Sequence, residues 1–165
     1  MLSLPAAGLV AALSIASLVG PPHITVRAIT TPAGVTSFEL DVEHHTRPED
    51  LTVTGRAEGV RDGRRVSVPL TITHRATGKF SVSRQWDAST PWVLVFSAEQ
   101  GPNGTHGVVE AVVSLDAKGT VKSIEYTTPG FVNGTGVPTR LPREKVDAAL
   151  VSLGVRLPQP AAATR

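Results

Sequence analysis

Hydrophobic and polar residues alternate with a period of two along most of this chain. The clearest run is Ser37 to Glu43, where Phe38, Leu40 and Val42 face one way and Ser37, Glu39, Asp41 and Glu43 the other. Successive side chains of a strand point to opposite faces, so this run predicts a strand with one buried and one solvated side. Before it, Ile24, Val26 and Ala28 mark a strand over His23 to Ile29, and Thr31-Pro32-Ala33-Gly34 turns the chain. After His44-His45-Thr46-Arg47-Pro48, Leu51, Val53 and Gly55 alternate with Thr52, Thr54 and Arg56. Asp62-Gly63 is a tight hairpin signal leading into Val66, Val68, Leu70 and Ile72. Pro69 cannot donate a ladder hydrogen bond, so this fourth segment is expected at a sheet edge or with a bulge.

The stretch from Gly78 to Glu99 holds both tryptophans. Phe80, Val82 and Trp86 share one parity, Asp87 to Pro91 reads as a turn, and Trp92-Val93-Leu94-Val95-Phe96 is apolar on both faces, which predicts a central strand. Trp92 therefore belongs to the expected core. Trp86, at the end of its segment, either covers the sandwich end or meets a partner there. Turn residues recur in Glu99 to Thr105 and Asp116 to Gly119, with apolar partners in Val108 to Leu115 and Val121 to Tyr126. Seven or eight short one-sided strands are most simply buried as two packed antiparallel sheets, an all-β sandwich.

The period then changes. Val146, Ala149, Leu150 and Leu153 lie at helical spacing, with Pro142 suited to the first turn and Gly154 to the cap. This predicts one short C-terminal amphipathic helix. Alone in water it would be unstable, so it is expected to dock on its own sandwich. At the other end, residues 2 to 20 carry no charge and are rich in Leu, Ala, Val and Ile. They read as an export signal cleaved near Ala16 or Gly20, or as an uncleaved anchor, since a span needs roughly 20 apolar residues. The expected layout is a signal peptide or N-terminal anchor over 1–21 and a sandwich domain over 22–128. A loop over 129–141, a helix over 142–154 and a disordered tail over 155–165 complete it.

Composition narrows the chemistry. The 165 residues contain no cysteine, which excludes disulfides, thiolate metal sites and a cysteine nucleophile. Sixteen Lys+Arg against fourteen Asp+Glu leave a formal charge of only +2, so nucleic acid is not an expected partner. Imidazole is the main metal ligand left. His44 continues the inward parity of Phe38, Leu40 and Val42, and His74 that of Val66 to Ile72, so the two would form a nitrogen pair at the rim if those strand ends met. Glu39, Asp41 and Glu43 read as a solvated strand face that discourages edge-to-edge aggregation. No Gly-x-Ser-x-Gly elbow, Ser-x-x-Lys or phosphate loop is present, which leaves only a dispersed Ser/His/Asp triad for hydrolysis. No cofactor is expected. Arg56, Arg61, Arg64 and Arg65 cluster around the predicted hairpin and suit an anionic partner. Asn103-Gly104-Thr105 and Asn133-Gly134-Thr135 fit the glycosylation pattern, but Asn-Gly is already explained by turn geometry.

The order Gly-Lys-Phe-Ser-Val, a short polar connection, then Trp-Val-Leu-Val-Phe resembles secreted immunoglobulin-like or transthyretin-like modules, and most of all the bacterial YtkA-like kind, over residues 35 to 98. The resemblance implies an immunoglobulin-like sandwich. Thr90-Pro91 stands where the family has a glycine before the second tryptophan, and the family's metal-handling methionines and histidines have no counterpart, so no site residue follows from it. The expectation is a non-enzymatic exported module, periplasmic or extracellular, that binds a protein, glycan or envelope component. Trp86, Arg61, Arg64 and Arg65 are its candidate contacts. The alternatives are a periplasmic metal-binding protein using His44 and His74, and a hydrolase with a dispersed triad. Membrane contact is expected only through an uncleaved N-terminal segment.

Overall fold

The computed structural model describes residues 22–44, 51–87, 89–105, 107–127, 130–132, 135–137 and 140–158. Two antiparallel sheets pack face to face. The first contains β1 (His23–Thr31), β2 (Gly34–Glu43), β6 (Lys79–Ser83) and β5 (Thr73–Ala76), in that spatial order. The second runs β4 (Arg64–Pro69), β3 (Leu51–Arg61), β7 (Trp92–Gln100), β8 (Gly107–Leu115) and β9 (Val121–Tyr126). The order β1-β2-β6-β5 against β4-β3-β7-β8 is the Greek-key arrangement of an immunoglobulin-like sandwich, with β9 added beyond β8.

The sandwich has one strand more than the eight segments read from alternation, because the run from Val66 to His74 is two strands. Pro69 ends β4, Leu70 N makes a last bond to Gly55 O at 2.9 Å, and the chain then crosses to the opposite sheet as β5. β4 is an edge strand, as Pro69 requires. Asp62 and Gly63 turn the β3–β4 hairpin with φ of 51° and 69°, the left-handed pair that matches strand twist.

β7 is buried on both faces because it lies between β3 and β8 and is covered on both sides. Trp92, Leu94, Phe96 and Ala98 enter the core between the sheets, while Val93 and Val95 face outward under the helix. Phe38 meets Phe96 and Trp86 at centroid distances of 5.6 and 5.8 Å, joining the sheets at the middle of the core.

The helix α1 (Arg143–Ser152) lies on the outer face of the five-stranded sheet. Val146 and Leu150 are buried against Val93, Val95 and Val112. Each fully buried aliphatic side chain contributes about 1.5–3 kcal/mol, which is what holds a helix too short for independent stability. Gly154, at φ 81°, lets Gly154 N bond Val151 O and Val155 N bond Leu150 O, closing a Schellman cap. Val155 and Leu157 continue the same apolar contact. The tail expected to be disordered from 155 is therefore packed as far as Leu157, since these alternating apolar residues find surface beside the helix. Residues 159–165 and the leader over 1–21 lie outside the described residues. The loop expected over 129–141 contains a short hairpin, β10 (Gly130–Val132) with β11 (Thr135–Val137). Among the described residues, no helix is long and apolar enough to cross a membrane.

Asp116 organises the β8–β9 turn by accepting from the backbone N–H groups of Lys118 and Thr120, each at 2.9 Å. The bond from Thr120 is the main reason its carboxyl titrates below the usual 3.8. The ionised form is favoured by folding, so its stabilisation is present above pH 3.8 and is lost as pH falls through the lowered folded value. Asp116→Asn is expected to lower Tm near neutral pH, with the gap to the parent closing in acid. A gap that stays constant to low pH would show that the carboxylate's charge contributes nothing.

Candidate functional site

The sequence candidates other than the arginines do not assemble into a site. His74 pairs with Phe80, which in turn pairs with Leu40, whereas His44 lies four residues beyond Leu40. At roughly 3.4 Å per residue and 4.8 Å per strand, the two histidines are about 14 Å apart along the strands and two strands apart across them. The reason is the crossover after Pro69, which moves His74 onto the edge strand β5, exposed and edge-on to Phe80 at 5.3 Å. Among the described residues, no three His, Asp or Glu side chains converge, and neither His23 nor His74 bonds a serine or a carboxylate. Glu39 faces Arg27, and Asp41 accepts from Lys79 at 2.6 Å, cross-strand pairs on the solvated face of the first sheet. Trp86 lies past the end of β6, only 5% exposed against Phe38, so it closes the core and offers no docking surface.

The arginines divide by strand parity. Arg61 and Arg64 close the β3–β4 hairpin; Arg61 lies over the Trp92 ring at 6.0 Å and Arg64 is exposed at the tip. Arg56, Glu58, Arg65 and Ser67 project from the other face of the same two strands, toward α1. There they line a cleft of about 400 Å³ together with Val66, Leu141, Arg143 and Val146. Three guanidinium groups thus meet one carboxylate in the lining.

Glu58 is the hub of this cleft. Its Oε1 accepts from Arg56 Nε at 3.2 Å and Ser67 Oγ at 2.9 Å, and its Oε2 lies 3.7 Å from Arg65 Nη2. Arg65 Nη1 donates to Asp147, so both terminal nitrogens of Arg65 are engaged in tying β4 to the helix. Arg56 Nη1 is 3.8 Å from Glu110 Oε1. Arg143 makes no ion pair among the described residues. The guanidinium groups left over in the cleft are therefore Arg143 and the Nη2 of Arg56.

The start of the helix is pinned by a buried carboxylate that sequence reasoning missed. Glu110, 1% exposed, accepts from Ser97 Oγ at 2.6 Å and from Leu141 N. Beside it Arg140 donates to both oxygens of Glu99 at 2.9 Å, and those bonds raise the arginine's pKa above its ordinary value. A signal for Glu110 exists in the sequence: it is the one charge in the valine-rich run Val108 to Leu115. No comparable signal pointed to Arg143, whose place beside Arg56 depends on where the helix docks.

The arrangement can bind and orient an anionic group. The hydroxyl of Ser67 donates to Glu58, a carboxylate already held by Arg56 and Arg65, and no histidine or lysine lines the cleft among the described residues. No protein-family model, curated protein or solved structure matches this chain.

Proposed function

We propose that the protein is a non-enzymatic exported β-sandwich module that recognises an acidic component of the cell envelope or its surroundings through the cleft between α1 and the β3–β4 hairpin. The observation that carries this reading is Arg143 in the lining of that cleft, which makes no ion pair among the described residues, together with Arg56, whose Nη2 is left over from its contacts with Glu58 and Glu110. Guanidinium groups are fixed forks suited to carboxylate and phosphate, and apolar walls strengthen their pull on an anion. Export is supported by the apolar leader over residues 2 to 20. A sandwich with a rigid double-sided core is suited to holding such a surface still, which limits the ordering cost of binding.

The test is retention of native envelope material by the full chain, immobilised, at low and high salt. Retention is expected at low salt, to weaken as salt screens the charges, and to be lost in Arg143→Glu. An acidic residue at the first turn of a helix favours the helix, so this variant keeps its fold. Retention that is indifferent to Arg143→Glu would overturn the assignment of the cleft.

A further inference from the structure

We infer that Arg84 holds a small monovalent anion, a halide or a simple carboxylate, at the end of the sandwich, in a site separate from the cleft beside α1. Arg84 follows β6 by one residue and continues its ladder, donating from its backbone N–H to Thr36 O at 3.0 Å. Its guanidinium lies against the β8–β9 turn, where a Cβ on Gly119 would stand 3.5 Å from Nη2. That turn is held in place by Val35 N, which donates to Gly119 O at 3.0 Å. Nε and Nη2 of Arg84 are both shielded from solvent with no hydrogen-bond partner among the described residues, and two residues on the Nε1 of Trp86 is buried in the same way. Three buried donors within three residues of chain thus lack an acceptor.

Buried polar groups in folded proteins are paired as a rule, and a guanidinium stays protonated, so it cannot neutralise itself. Nε and Nη2 flank one edge of the group, whose parallel N–H bonds receive both oxygens of a carboxylate or share one halide. The nearby carboxylates do not fill that place. Asp87 feels the charge of both Arg61 and Arg84, but it is exposed and its Oδ1 accepts from the N–H and the hydroxyl of Ser89. Asp116 accepts from Lys118 N and Thr120 N in its own turn and lies 3.8 Å from Lys122. The β3–β4 turn and the β6–β7 connection carry Arg61, Arg64 and Arg84 against Asp62 and Asp87, an excess of one positive charge. One anion balances it, whereas water would satisfy the donors and leave the charge. The shielding of both nitrogens sets the size: an ion of a few atoms can be enclosed there, and a sugar or a peptide cannot.

Thermal unfolding of the full chain, exchanged into a zwitterionic buffer free of halide and carboxylate, tests the site. Sodium bromide, sodium formate and sodium sulfate are compared at equal ionic strength. A ligand of the native state raises Tm with the logarithm of its concentration once that exceeds Kd. Such a rise is expected with bromide, with formate or with both, which tells halide from carboxylate, and sulfate is expected to show only its gradual strengthening of burial. Arg84→Met keeps a stem of similar length without the charge or the fork and is expected to abolish the rise. Arg84→Lys keeps the charge without the fork and is expected to weaken the affinity about tenfold or more. A Tm that responds to bromide and formate no more than to sulfate would mean an internal water only and overturns the proposal. An undiminished rise in either variant overturns it as well, since the ion would then be held elsewhere or without the fork.

Discussion

Trp92→Ala is expected to lower the free energy of unfolding by about 3–5 kcal/mol. Trp92 heads the largest fully buried side chains at 1% exposure, and its Nε1 donates to Asp87 O at 2.9 Å, which ties the connection before β7 to the core. Gly59 on β3 makes room for the ring: a Cβ there would stand 2.8 Å from Trp92 Cε3. Gly59 has no side chain to move into the space that the ring leaves, so a cavity is expected there. Arg61 would also lose the ring it lies against. A loss of this size is a large part of the roughly 5–15 kcal/mol by which domains are stable. Denaturant unfolding checks it; a loss under about 1 kcal/mol would mean that the site collapses freely and that the ring is not a keystone.

Glu110→Ala is the second large effect, and it acts on the helix first. Removing the carboxylate strands Ser97 Oγ and Leu141 N, both bonded to it, and takes the nearby countercharge from Arg56 Nη1. Leaving buried polar groups unpaired costs about 1–3 kcal/mol each, so a total of about 3–5 kcal/mol is expected. Most of it is released by undocking the segment from Leu141 onward, because α1 has no stability apart from Val146 and Leu150 on the sheet. Hydrogen exchange should show amides 146–152 losing protection while β7 and β8 keep theirs. Glu110→Gln, which keeps an acceptor oxygen and the shape, should be milder. Unchanged protection of the helix in Glu110→Ala would remove the carboxylate from its role as the pin.

The strands were legible wherever alternation was uninterrupted. β2 shows why: Phe38, Leu40 and Val42 are buried at 0–2% exposure, while Glu39 and Asp41 pair with cations on the open face. The Asp62-Gly63 turn and the Gly154 cap were equally readable, because each depends on a backbone conformation that few residues adopt. Reading failed where parity ran through a crossover. Val66 to His74 keeps its alternation across the step from β4 to β5, so period alone could not show that two sheets share it. The same step separates His44 from His74. Trp86 carried the parity of Phe80 and Val82 but lies beyond β6, and its burial comes from Phe38 on another strand.

The sequence by itself determined the class of this protein: turns at regular spacing, one strand apolar on both faces, and one helical period at the end. Those are local properties, set by side-chain direction and backbone preference within a few residues. Only the tertiary structure decided what the charged residues do. Parity divides the hairpin arginines between two faces, but which face meets a partner depends on where α1 lands, and that is set by Val93, Val95 and Val112 beneath it and Glu110 at its start. Arg143 lies 87 positions from Arg56 in the chain and joins it only through that docking. A cleft built from groups so far apart is a property of packing, and no pattern along the chain contains it.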